Sequence, residues 1–245
     1  MYIFANWKMY LDFDESCILM SQLMAENFDI DAQLGIFPST LAFSEIEKLA
    51  RDTQWGIGAQ NVAWVEKGAY TGAVSAHLFK EVGAQYAMVG HSERRHIFGE
   101  KNEDTQKKMQ ACLDVGLVPV LCIGETQEDK ENDKRQYRLK RQLHEALQGL
   151  DLQEESFLVA YEPVWAIGSG TPCTDTDAED VAGWIKSELK DTFNLANIAV
   201  LYGGSVDSKN VLSYTTQPSI DGVLVGGASA KFDTFSALIR AVAKG

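Results

Sequence analysis

Basic residues are scarce in this chain. Its 245 residues hold 22 Lys and Arg against 35 Asp and Glu, a net charge of −13. Nonspecific nucleic-acid binding and docking on an anionic membrane both need a basic face, so neither partner is expected. An anionic small molecule needs only a local positive pocket and stays open. No apolar run approaches the length of about eighteen residues that a membrane span requires. Met1–Asn6 lacks the basic region and long apolar stretch of a signal peptide. Cysteines are few and scattered: Cys17, Cys112, Cys122 and Cys173 show no Cys-x-x-Cys spacing. That argues against a disulfide framework or a zinc site and for reduced thiols in the cytoplasm. Linkers and low-complexity segments are missing too, so residues 1–245 are expected to form one domain. With 45% hydrophobic and 23% charged residues, whole-chain disorder is excluded.

Eight short apolar segments recur: Tyr2–Ala5, Leu34–Phe37, Trp55–Ala59, Tyr86–Gly90, Val118–Ile123, Phe157–Tyr161, Ile198–Tyr202 and Gly222–Val225. Most are continuous rather than alternating, the pattern of strands buried on both faces of a parallel sheet. Helical spacing separates them. Leu139, Leu143, Leu147 and Leu150 form one stripe. Val181, Trp184, Ile185 and Leu189 form another, behind a Thr176…Glu179 capping box, and Phe235, Leu238, Ile239 and Val242 a third. Further helices are expected over Asp14–Asn27, Thr40–Ala50 and Glu103–Val115, and near Ser75–Glu81 and Ser208–Tyr214. This alternation predicts an α/β fold of eight parallel strands surrounded by helices, a (β/α)8 barrel; an open doubly wound sheet is the alternative.

In a barrel the functional residues sit where strands end. Asn6, Trp7 and Lys8 follow the first strand, and Lys8 is either a cation for an anionic substrate or simply solvated. His91 follows the fourth, a candidate acid or electrophile or else a hydrogen-bonded structural histidine. Ser92 is the expected cap of a short helix there, and Glu93-Arg94-Arg95 reads as structural or interfacial. Cys122, at the fifth strand end, has no evident partner base and reads as inert core. Glu162 ends the sixth strand beside Pro163, as a general base or a surface carboxylate. The next segment, Val164-Trp165-Ala166-Ile167-Gly168-Ser169-Gly170, is too apolar for an ordinary surface loop and suits a lid that excludes water. Gly203-Gly204-Ser205 and Gly226-Gly227 follow the last two strands, where barrels often bind phosphate through backbone N–H groups.

Taken in order, seven segments make the chain resemble the triosephosphate isomerase family over nearly its full length. They are Asn6-Trp7-Lys8-Met9, Ala59-Gln60-Asn61, Gly68-Ala69-Tyr70-Thr71-Gly72, Gly90-His91-Ser92-Glu93-Arg94-Arg95, Ala160–Gly168, Tyr202–Val206 and Val225–Ser229. The resemblance implies interconversion of dihydroxyacetone phosphate and D-glyceraldehyde 3-phosphate through an enediolate, in glycolysis and gluconeogenesis, without a metal or organic cofactor. It implies Glu162 as the base, neutral His91 as the electrophile and proton carrier, Lys8 as the stabilising cation and Asn6 as an orienting group. Glu93 would support the site. Phosphate would be held by the N–H groups of Gly168, Ser205, Gly226 and Gly227, under a lid spanning Pro163–Cys173. It also implies a homodimer in which the loop Ala63–Ser75 reaches the partner and Thr71 lies near the neighbour's catalytic residues. Other barrel enzymes of phosphorylated sugars remain a second possibility, although a Schiff-base aldolase would need a mid-sequence barrel Lys, absent at these strand ends. A non-catalytic barrel is the third, but loss of His91 or Glu162 would be its signature, and both are present.

Three positions depart from the family's usual pattern. Ala73 stands where Glu is common, which removes an expected partner of Arg94 and predicts a weaker or differently supported dimer. Ala230 replaces a larger apolar residue. Thr171-Pro172-Cys173 ends the lid without the usual Lys. Proline fixes a dihedral and removes an N–H, so the hinge should be stiffer. Pro172→Ala is expected to change substrate release and turnover without abolishing activity; equal rates in both proteins would contradict this.

Overall fold

The computed structural model describes residues 1–152, 157–167 and 172–244. Eight strands, β1 (Tyr2–Asn6), β2 (Gln33–Phe37), β3 (Trp55–Ala59), β4 (Tyr86–Val89), β5 (Val118–Ile123), β6 (Leu158–Tyr161), β7 (Val200–Tyr202) and β8 (Gly222–Val225), pair in sequence order into a closed barrel. Every pairing is parallel, and β8 closes on β1 with Tyr2 opposite Gly222 and Ala5 opposite Val225. The helices are α1 (Phe13–Ala25), α2 (Phe43–Ala50), α3 (Ala76–Glu81), α4 (Ser92–His96), α5 (Asn102–Asp114), α6 (Gln127–Glu131), α7 (Arg135–Leu147), α8 (Asp175–Phe193), α9 (Val211–Thr215) and α10 (Phe232–Lys244). Among the described residues no helix is long and apolar enough to cross a membrane.

The continuous apolar strands are explained by two cores. Phe4, Phe37, Met88, Val120, Cys122, Leu158, Ala160, Leu201 and Leu224 fill the barrel interior. Their strand neighbours, such as Ile3, Ala5, Leu121, Ile123, Val159 and Tyr161, point outward under the helices. Alternate residues therefore face two different apolar surroundings, and neither face stays polar. At the closing seam a side chain has no room: a Cβ on Gly222 would lie 2.1 Å from the Tyr2 carbonyl oxygen.

Element boundaries correct the sequence expectations in several places. The cap of α8 is Thr174, whose hydroxyl accepts the Asp177 N–H at 3.1 Å. The expected Thr176…Glu179 box does not form: Thr176 is already helical, and Glu179 instead accepts the Ser219 N–H. Thr174 wins because its backbone is extended, as a capping position requires. Leu150 falls outside α7, which ends at Leu147 before Gly149 turns the chain at φ 77°. A real capping box does start α1, between Asp12 and Glu15.

One acidic side chain clamps α7 to α8. Glu188 Oε1 lies 2.6 Å from His144 Nε2, 3.0 Å from Lys140 Nζ and 2.9 Å from Thr192 Oγ1. Desolvation opposes ionisation of Glu188, but these hydrogen bonds outweigh it and hold its carboxyl at about 2. A depressed carboxyl contributes stability above its unfolded value, about 4.3, and loses that contribution as pH falls through the folded value. Glu188→Gln should therefore cost about 1 kcal/mol at neutral pH, and the deficit should shrink steadily in acid. Denaturant unfolding of both proteins across that range measures the difference; a pH-independent deficit would contradict the clamp.

Candidate active site

Closure of the sheet gathers residues that are remote in sequence at the carboxyl ends of the strands. Asn6 ends β1, His91 precedes α4, and Glu162 follows β6. All three are buried, at 4%, 6% and 1% exposure, and all line a cavity of about 290 Å³. Lys8, Ser205, Gly226 and Gly227 line the same cavity. Seven of the eight predicted site residues thus come together; Gly168 lies outside the described residues. Glu162 is no surface carboxylate, and Lys8 is not merely solvated.

The tautomer of His91 follows from its neighbours. His91, rather than the expected Ser92, is the N-cap of α4: its Nδ1 accepts the Glu93 N–H at 3.2 Å. The imidazole side chain is placed to accept there, and the Ser92 N–H, a first-turn donor without a partner inside the helix, is turned to another acceptor. An accepting Nδ1 in a neutral ring leaves the proton on Nε2. Two groups face Nε2, the Glu162 carboxylate at 3.1 Å and the Asn6 amide nitrogen at 3.2 Å. The Asn6 oxygen is already turned to the Lys8 N–H at 3.0 Å, so its amide presents only donors to the ring. Nε2 therefore stands between the Asn6 amide, its hydrogen-bond neighbour, and the Glu162 carboxylate, which lies 3.1 Å away as a close contact outside hydrogen-bond geometry.

Glu162 is held by backbone as well. Its Oε2 accepts the Ser92 N–H at 2.9 Å, and its own N–H donates to the Ile123 carbonyl at 2.7 Å. Gly124 makes the approach possible, since a Cβ there would fall 1.7 Å from the Glu162 carbonyl oxygen. Lys8 sits in a left-handed conformation at φ 48°, uncommon for a non-glycine residue. Gln60 Nε2 secures that turn by donating to the Lys8 carbonyl at 2.7 Å. The Lys8 ammonium lies 2.6 Å from Glu93 Oε1, with its side chain only 14% exposed. Glu93 thus positions the cation from the helix that His91 caps. Sequence reasoning missed the parts played by Ser92, Gln60 and Gly124. Gln60 and Ser92 lie in motifs of the resemblance, but their roles are contacts across 52 and 70 positions, and one of them uses only a backbone N–H.

The apolar segment after Glu162 begins with a 3-10 turn, Val164–Ala166, and Ile167 enters the cavity wall. Its start is anchored to Glu125, whose Oε1 accepts from Trp165 Nε1 at 2.8 Å and Tyr161 OH at 3.0 Å and faces Arg135 at 3.3 Å. Burial raises the Glu125 carboxyl, and these donors pull it back part of the way. Arg135 also grips Asp177 with its two terminal guanidinium nitrogens, at 2.5 and 3.0 Å, just beyond the far end of the segment. Lys130 stands 3.5 Å over the Trp165 ring. Arg95 is structural, as expected, donating to the Gly90 and Cys122 carbonyls and to Asn102. Among the described residues no cluster of three His, Cys, Asp or Glu groups could hold a metal ion.

A family model described as triosephosphate isomerase matches residues 1–242. The chain belongs to the triosephosphate isomerase family. It is 40% identical to the triosephosphate isomerase of Dehalococcoides mccartyi, over 98% of this chain and 96% of that one. It is 38% identical to that of Dictyoglomus thermophilum over 97% and 98%, and 36% identical to that of Protochlamydia amoebophila over 97% and 92%. Aldose–ketose isomerisation is the chemistry of this family.

The thiols take no part in the site. Cys112 and Cys173 are pushed up to about 12, chiefly by desolvation, and burial inside the barrel raises Cys122 well above the ordinary thiol value. Cys17 is half-buried on α1. Iodoacetamide at about pH 8 should modify Cys17 first and reach the other three only on unfolding. Mass analysis of the labelled native protein checks this, and early modification of Cys173 would contradict it.

Proposed function

We propose that Glu162, His91, Lys8 and Asn6 interconvert dihydroxyacetone phosphate and D-glyceraldehyde 3-phosphate by proton transfers through an enediolate. The observation that carries this reading is the arrangement at Nε2: an imidazole and a buried carboxylate stand 3.1 Å apart, within one cavity that also holds an ammonium group. Substrate entering between them receives each group in turn. The Glu162 carboxylate takes the proton from the carbon next to the carbonyl, and the electron pair moves onto the carbonyl oxygen. The His91 Nε2–H gives that oxygen a proton and recovers one from the neighbouring hydroxyl. Glu162 then returns its proton to the adjacent carbon, which completes the isomerisation. Lys8 stabilises the negative oxygen during the enediolate stage, and the Asn6 amide orients it.

The phosphate binds at the other end of the cavity. Gly226 and Gly227 leave the backbone bare for close approach, and Ser205 faces them from the loop after β7. Gly168 would join from the segment after β6. Closing that segment brings Ile167 and its apolar neighbours over the enediolate and keeps water away from a species that readily loses phosphate. Binding energy from the phosphate is then available to drive closure.

A second copy of the chain is the proposed partner. Beside the site lies a larger cavity of about 550 Å³, lined by Met9, Trp64, Tyr70 and Phe98 among others. Met9, Ile97 and Phe98 are 91%, 71% and 66% exposed, more apolar surface than a lone domain usually leaves in one area. The loop Ala63–Ser75, pinned at its base by a bridge between those two residues, is the segment that would enter the partner's cavity and carry Thr71. Arg94 does not depend on a carboxylate at position 73. It stacks on Phe98 at 4.5 Å and pairs with Glu100 at 3.4 Å. Four unpaired thiols fit the cytoplasm as the compartment for this chemistry.

Turnover of D-glyceraldehyde 3-phosphate, coupled to a dehydrogenase that consumes dihydroxyacetone phosphate, tests the assignment. Glu162→Gln should lower kcat by about a hundred- to ten-thousandfold with the protein still folded. Retention of full activity in that variant would overturn the role of Glu162.

A further inference from the structure

The loop after β1 carries two side chains to one wall of the cavity. The left-handed turn at Lys8 reverses the chain, and the Tyr10 N–H donates back to the Trp7 carbonyl at 3.2 Å. Lys8 and Tyr10, two residues apart, consequently stand over the two successive glycines that follow β8. A Cβ built on Gly226 would come 3.6 Å from Lys8 Cε and 3.8 Å from Lys8 Nζ. A Cβ built on Gly227 would come 3.8 Å from both the Tyr10 hydroxyl and its ring edge. Both side chains line the cavity.

Packing does not account for Tyr10. Its side chain stays 59% exposed, although aromatic rings gain most from burial. Among the described residues its hydroxyl has no hydrogen-bond partner and its ring meets no other ring. An unspent O–H donor thus stands beside the bare backbone of Gly227, in the cavity that His91 and Glu162 also line. An anion seated there needs several donors, and a neutral phenol supplies one without the desolvation cost of a second cation.

We infer that Tyr10 is a substrate-binding residue whose hydroxyl donates a hydrogen bond to the phosphate group held at Gly226 and Gly227. The inference rests on the phosphate site proposed above and adds a side-chain donor to it. One loop then serves both ends of the substrate, with Lys8 at the reacting oxygen and Tyr10 at the phosphate.

Tyr10→Phe removes the donor and keeps the ring. Three quantities are measured on the full chain: competitive inhibition by inorganic phosphate, kcat/KM for D-glyceraldehyde 3-phosphate, and kcat/KM for unphosphorylated D-glyceraldehyde. Loss of one partly solvated hydrogen bond to an anion should raise the phosphate inhibition constant about three- to tenfold. The ratio of the two kcat/KM values should fall by a similar factor. An unmoved inhibition constant, or equal losses on both substrates, overturns the role of Tyr10 while leaving the site intact. If the unmodified chain neither isomerises the phosphorylated substrate nor is inhibited by phosphate, the phosphate site and the role of Tyr10 fall together.

Discussion

Closure of β8 onto β1 is the constraint on which everything else depends. Only a closed ring puts Asn6, His91 and Glu162, from the first, fourth and sixth strand ends, around one cavity. The seam leaves no slack, because Gly222 lies against the Tyr2 backbone too closely for any side chain. Inside the ring, Phe4 packs on Phe37 and Tyr86, with ring centroids 5.5 and 4.8 Å away. That rigid floor fixes the strand ends, and the strand ends fix the chemistry.

On this floor the site is built from a few donors that each satisfy one acceptor. The Glu93 N–H settles the imidazole, the Ser92 N–H holds the carboxylate, and the Glu93 carboxylate holds the ammonium. Two successive residues of one short helix, Ser92 and Glu93, thus serve three different functional groups. The arrangement also places a cation inside a chain of net charge −13, where a diffuse basic surface is missing. Charge is used locally here, in a cavity where water does not screen it as it does at a surface.

Much of this was legible in the sequence, for identifiable reasons. Strands buried on both faces leave apolar runs, so all eight were found, and the functional groups after them differ in type from the core. Lys8, His91 and Glu162 stand out because charged or titratable side chains at strand ends are unusual. The boundaries were less legible. Thr174 and Thr176 are equally good caps by composition, and only backbone conformation separates them. Ser92 was expected to cap α4, yet the ring of His91 does so. The contacts of Gln60, Gly124 and Tyr10 depend on register across the barrel, which no local pattern encodes.

The filled barrel interior has one more consequence. Phe4, Phe37, Met88, Leu158 and Leu224 plug the ring from side to side, so the cavity has a floor and no rear exit. Substrate and product must use the same doorway. Aldose and ketose are therefore mutually exclusive occupants of a single vestibule, and traffic through it runs in either direction with equal ease of access. The net direction of flow is then left to the concentrations outside the protein, as suits a reaction whose two ends differ only in the placement of two hydrogens.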